Sequence, residues 1–122
     1  MKVEVGSFTA NSSTVVILLD DSAMNVKGVC FQVTPSTTSS AEASTGFGDG
    51  VKSRSKSILV DGTKHESYRS STYSVMHYRN VSGTSTRKLA GYISSLANTG
   101  EIDLTFDTYD GTLTVDYIAY GD

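Results

Sequence analysis

The sequence has no tryptophan, a single cysteine, a single proline and two histidines among its 122 residues. With Cys30 alone, no disulfide closes within the chain and no thiolate cluster can hold a metal. Cys30 lies in the apolar run Val29-Cys30-Phe31 and reads as a small buried hydrophobe. His65 and His77 fit no HExxH, HxH or His–Cys spacing, so no metal site is expected; both read as surface or rim residues. Charge is sparse too: charged residues make up 19 % of the chain, the net charge is −3 and the pI is about 5.2. That balance argues against binding to nucleic-acid backbones, which needs clustered Lys and Arg. No apolar stretch reaches the length of a membrane span or of a signal-peptide core. The sequons Asn11-Ser12-Ser13 and Asn80-Val81-Ser82 read as chance matches in a Ser-rich chain.

Serine and threonine make up about a quarter of the residues, while hydrophobic residues reach only 38 %. Thr suits pleated strands, and Ser with Gly suits turns. A chain of this length fits one domain, residues 1–122, able to bury roughly two-thirds of its unfolded surface.

Period-two alternation runs through the chain. Val3, Val5 and Ser7 fall on one face of an opening strand, with Lys2, Glu4 and Gly6 on the other. Val15-Val16-Ile17-Leu18-Leu19 is a continuous apolar run, which predicts a strand covered on both faces. A strand over Val26–Val33 ends at Thr34-Pro35. Residues Ser36 to Gly50 turn polar and predict a long loop whose Gly46–Gly50 tip carries Phe47. Short strands are expected at Ser57–Val60 and Tyr73–Tyr78. Arg87–Leu96 reads as a strand or a helix weakened by Gly91. Ile102, Leu104 and Phe106, then Leu113, Val115 and Tyr117, flank the turn Asp110-Gly111 and predict a β-hairpin with one buried face. Gly6 and Gly28 inside strand patterns predict bulges or a close backbone approach. The whole predicts an all-β fold: an antiparallel two-sheet β-sandwich, jelly-roll-like.

Tests for chemistry return no catalytic, cofactor or metal residues, so an enzyme is not expected. No Gly-x-Ser-x-Gly elbow occurs, and with so many serines a Ser-His-Asp triad has no specific signal. Asp20-Asp21 and the pair Asp107, Asp110 read as turn residues rather than as glycosidase carboxylates or calcium ligands. The glycines around Phe47 lack the Lys-Ser/Thr of a phosphate-binding loop. What remains is a candidate interaction surface: Phe47 and Asp49 in the loop, Lys52, Arg54 and Lys56 on one face of a following strand, and Tyr109 beside the last turn. Alternating cations suit an edge or a contact with an acidic neighbouring subunit or sugar, and seven tyrosines suit recognition.

Three segments resemble a family of short bacteriophage virion proteins and tail-associated domains. They are the opening Val5-Gly6-Ser7-Phe8-Thr9-Ala10-Asn11-Ser12-Ser13-Thr14, the Gly-rich Thr45-Gly46-Phe47-Gly48-Asp49-Gly50, and the closing Val115-Asp116-Tyr117-Ile118-Ala119-Tyr120-Gly121, similar to a "YLALG"-type ending. Val26-Lys27-Gly28-Val29-Cys30-Phe31 stands where the family reads "PKAVIF", with Val26 in place of Pro. Val51 to Leu96 has no counterpart. The resemblance implies a virion structural protein, a capsid decoration protein or small tail component. It would be made in the host cytoplasm, form a homo-oligomer and be partnered by other virion proteins. The alternative is a carbohydrate-binding module at a tail tip, recognising a host-surface glycan.

Overall fold

The computed structural model describes residues 1–35, 41–62 and 64–122. Among the described residues ten strands follow in order: β1 (Lys2–Thr9), β2 (Thr14–Leu18), β3 (Val26–Pro35), β4 (Ala41–Gly48), β5 (Ser53–Asp61), β6 (Lys64–Ser70), β7 (Val75–Val81), β8 (Thr84–Leu96), β9 (Glu101–Thr108) and β10 (Leu113–Gly121). They form a six-stranded sheet, β1-β10-β3-β4-β5-β6, and a four-stranded sheet, β2-β9-β8-β7. Every neighbouring pair is antiparallel. The two sheets pack as an open sandwich, as the alternation predicts. The chain ends wrap in jelly-roll manner, with β1 and β3 flanking β10 and β2 flanking β9, while β4 to β6 run as a meander.

Several elements differ from expectation. The predicted β9–β10 hairpin is an arch: β9 pairs with β2 and β8, and β10 with β1 and β3. Alternation reports which residues face inward; it carries no information about which sheet a strand joins. The predicted long loop contains β4, so Gly46, Phe47 and Gly48 are strand residues and only the Asp49–Lys52 turn separates β4 from β5. The remainder of that loop, Ser36 to Ser40, lies outside the described residues. Arg87–Leu96 is strand, bulged at Ala90/Gly91 and Ile93/Ser95.

β4 escapes a hydrophobicity reading because its inner face holds small residues. Ser44, Gly46 and Gly48 point at β7, and the backbone there comes very close. A Cβ on Gly46 would overlap the Ser74 carbonyl. Gly28 answers a different need: a Cβ there would overlap the Tyr120 ring, and at Gly6 the Tyr117 ring. The two glycines thus admit a cross-strand aromatic ring rather than another backbone, and the expected bulge does occur beside Gly28, where the β3–β10 register shifts.

The sandwich has two unlike halves. Under β1, β10 and β3 the core is apolar, with Val29, Leu104, Leu113 and Val115 fully buried and Phe106 nearly so. Phe8 meets Phe31 edge-on at 6.5 Å. Between β4, β5 and β7 the filling is polar, with Ser44, Ser57, Ser74 and His77 all buried.

Candidate functional site

The polar half contains a chemically suggestive group of side chains. Ser44 Oγ lies 2.5 Å from Nδ1 of His77, whose Nε2 lies 2.7 Å from Oε1 of Glu42. Arg79 Nε approaches the same carboxylate at 3.1 Å. Ser57 Oγ is 3.0 Å from Ser44 Oγ and accepts the Tyr78 N–H at 2.9 Å. Burial pushes the His77 pKa below its usual value more than Glu42 raises it, so the ring is neutral at pH 7. Its one N–H faces the carboxylate, leaving Nδ1 to accept the Ser44 hydroxyl.

This Ser–His–Glu order looks like a nucleophile relay, but it is built as a brace. His77 has no exposed surface and Ser44 only 3 %, so no substrate reaches the hydroxyl. Each group instead satisfies another across the seam between β4 of one sheet and β7 of the other, as buried polar atoms require. His77 is therefore not the surface residue that its sequence suggests; His65, by contrast, is exposed on β6.

The accessible chemistry lies on the outer face of the six-stranded sheet. One row across the strands runs Val5, Ile118, Cys30, Phe47, Arg54; the next runs Ser7, Asp116, Gln32, Thr45, Lys56, Arg69. The first row exposes aliphatic surface: Val5 is 69 % and Ile118 49 % accessible. Cys30 is exposed on this face, because the inward partners in its strand are Val29 and Phe31. A groove of about 670 Å³ lies over Val5, Cys30, Gln32, Thr45 and Ile118. Phe47 is half-buried and stacks on Tyr120, with rings 6.5 Å apart and 12° from parallel.

Arg54, Lys56 and Arg69 form a cationic patch next to Phe47. Lys56 and Arg69 are direct cross-strand partners, and a second groove, about 420 Å³, runs between them and Phe47. Lys52 does not join the strand face; it sits in the turn. Asp49 shapes that turn, its Oδ1 accepting the Val51 N–H at 2.9 Å and the Lys52 N–H at 2.6 Å. Those bonds, the Lys52 one foremost, hold its carboxyl below the usual range. Tyr109 is exposed in the β9–β10 connection and lines a groove with Arg87, Lys88 and Asp110. Of the six sequence candidates, the structure thus groups Phe47, Arg54 and Lys56 on one face, with Asp49 and Lys52 in the adjoining turn.

Sequence reasoning missed Arg69, Tyr120, Val5 and Ile118. The last two were legible only as an inversion. In β1 the valines face solvent while Glu4 turns inward to accept the Asp20 and Asp21 N–H groups. The opposite sheet also turns apolar residues outward. β2 is an edge strand, not one covered on both faces, and Val16 and Leu18 stand 52 % and 70 % exposed. Among the described residues no group of His, Cys, Asp and Glu side chains could hold a metal ion. Asp107 accepts the Tyr73 hydroxyl at 2.7 Å, and Asp110 accepts the Thr112 N–H and hydroxyl.

No protein-family model matches the chain, and neither a characterised protein nor a solved structure does.

Proposed function

We propose that this chain is a structural assembly module of a phage particle, acting through protein–protein contact on the outer face of its six-stranded sheet. The observation that carries the assembly reading is the inverted β1. Val3 and Val5 face solvent beside Ile118 and Cys30, although the core lies on the other side of the same strands. A contiguous exposed apolar patch is the ordinary mark of an interaction surface. The phage setting comes from the resemblance of the opening, Gly-rich and closing segments. Mass spectrometry of purified particles of the virus that encodes the chain is expected to find it in many copies. Its absence from particles would defeat the virion reading.

A second reading has its own observation. The Phe47 ring flanked by Arg54 and Lys56 along a groove suits an acidic sugar, which would bring a carboxylate to the cations and an apolar ring face to the phenyl group. Binding on a glycan array, lost in Phe47→Ala and Arg54→Ala variants, is the expected result of that reading; silence of the intact protein across acidic glycans rejects it.

A further inference from the structure

The two outer faces of this sandwich carry opposite and uncompensated charge. On the six-stranded sheet, Lys56 and Arg69 stand directly opposite each other across β5 and β6, and Arg54 follows two residues along the same face. None of the three has an ion-pair partner among the described residues. Like charges directly opposed weaken a strand pair. On the four-stranded sheet, Ile102 and Leu104 point into the core, which turns Glu101 and Asp103 outward together. The Glu101 carboxyl is pushed above its usual range by its hydrogen bond to Asp103 and by that neighbour's charge. Asp103 Oδ1 has no hydrogen-bond partner.

Both charged groups have apolar cross-strand neighbours, one on the six-stranded face and two on the four-stranded face. Phe47 on β4 is the cross-strand partner of Arg54 on β5. Leu18 on β2 is the cross-strand partner of Glu101 on β9, and Val16 is that of Asp103. Each face therefore sets apolar surface on one strand beside charge on the next, about 4.8 Å away; on β4 that surface is Phe47, with Thr45 facing Lys56, and the cations continue onto β6 at Arg69. Within each charged column the residues are two apart, about 6.7 Å. Laid face to face, the two surfaces put Val16 and Leu18 over Phe47 and Thr45 and the two carboxylates over the cations. Packing the six-stranded face on itself does less: its three cations would meet Asp116 alone, and Glu101 and Asp103 would stay uncompensated.

We infer that copies of this chain stack head to tail, the outer face of the six-stranded sheet of one copy seated on the outer face of the four-stranded sheet of the next. This rests on the reading of the six-stranded face as an assembly surface and names the occupant as a second copy. Such a contact is heterologous, so it generates a ring if the rotation closes and a filament if it does not.

Sedimentation velocity across a concentration series at low salt tests it. The wild-type chain is expected to form concentration-dependent multimers that dissociate as salt rises. A Lys56→Glu/Arg69→Glu variant and a Glu101→Lys/Asp103→Lys variant should each associate at least about tenfold more weakly. Mixed in equal amounts they should co-assemble, since every contact between unlike copies then pairs opposite charges. Circular dichroism checks that both fold; should either fail, the Lys56→Gln/Arg69→Gln and Glu101→Gln/Asp103→Gln pairs are expected to weaken association without the mixing rescue. If the acidic-face variant assembles like wild type while the cationic-face variant does not, head-to-tail stacking is wrong and the six-stranded face still docks something. A wild-type chain that stays monomeric throughout overturns the inference, and the virion reading then stands or falls on particle composition.

Discussion

Glu42 of β4 and Arg79 of β7 form an ion pair across the two sheets, Nε to Oε1 at 3.1 Å, with the carboxylate side chain only 1 % exposed. A charge taken out of water to that degree must be held by several partners, and His77 supplies another at 2.7 Å. Truncating the cation leaves the carboxylate buried with too little compensation. Arg79→Ala is therefore expected to cost about 3–5 kcal/mol in urea unfolding, whereas Glu42→Gln, which removes the charge and keeps the shape, costs less. Equal losses for the two would show that packing, not charge, sets the value of the pair.

His77 gives the fold a definite acid response. In the unfolded chain it titrates near its ordinary 6.5, and in the fold burial lowers that pKa in spite of Glu42. Above about pH 6.5 the ring is neutral in both states and its contribution to stability is complete. As pH falls through that value the unfolded chain takes up a proton first, so stability declines until the folded pKa is reached. Arg79, facing the same carboxylate, opposes protonation further. Unfolding free energy is expected to fall as pH drops below about 6.5, and His77→Gln should flatten that slope. A slope that persists in His77→Gln would assign the response to other groups.

What the sequence displays and what it hides divide along a physical line. The apolar half of the sandwich was readable because Ile102, Leu104 and Phe106 alternate with Glu101, Asp103, Thr105 and Asp107, and Leu113, Val115 and Tyr117 with polar residues. The polar half was not. Ser44, Ser57 and His77 are as buried as any leucine, and their burial depends on partners 13 to 33 residues away that no local pattern announces. β6 was missed for a related reason: the sequence Lys64–Ser70 holds no aliphatic residue whose alternation would announce a strand. For the candidate surface, Arg54 and Lys56 were legible from their spacing, while Arg69 joined them only through the β5–β6 register. Cys30 and the β2 valine and leucine were assigned to the core on composition, yet alternation around Val29, Phe31, Ile17 and Leu19 turns them outward.

Gly28 and Tyr120 offer a test of the outer face. The Tyr120 ring lies across β3 to reach Phe47, in the space a side chain on Gly28 would take. Gly28→Ala should lower stability by about 1–3 kcal/mol, the usual cost of overpacking. In a Tyr120→Ala background the same change should be nearly neutral, since the ring that it strikes is gone. Additive effects of the two substitutions would mean that ring and glycine are not coupled.

The Asp49 turn sets where the cations stand. Its carboxylate accepts the Val51 and Lys52 N–H groups and so aligns β5 on β4. Asp49→Ala removes both bonds from an exposed turn, and the variant is expected to unfold at a lower urea concentration than wild type at neutral pH. Because its folded pKa is lowered, this contribution is complete above the ordinary carboxylate value of 3.8 and fades as pH falls through the folded value. The wild-type advantage over Asp49→Ala should accordingly shrink in urea melts below about pH 4. An undiminished difference there would show that the turn is held by its backbone geometry and not by the carboxylate.

Cys30 reports on the face itself. It stands exposed between Ile118 and Phe47, on the row that the assembly reading places at an interface. In the dilute chain it should react with a thiol reagent within about tenfold of the rate of the unfolded protein, as an accessible thiol does. At concentrations where copies associate, that reaction should slow, and the Lys56→Glu/Arg69→Glu variant should abolish the slowing. A thiol that is unreactive when dilute would place Cys30 back in the core. One that stays reactive in the assembled state would show that this part of the sheet is left uncovered, and would move the contact toward β5 and β6.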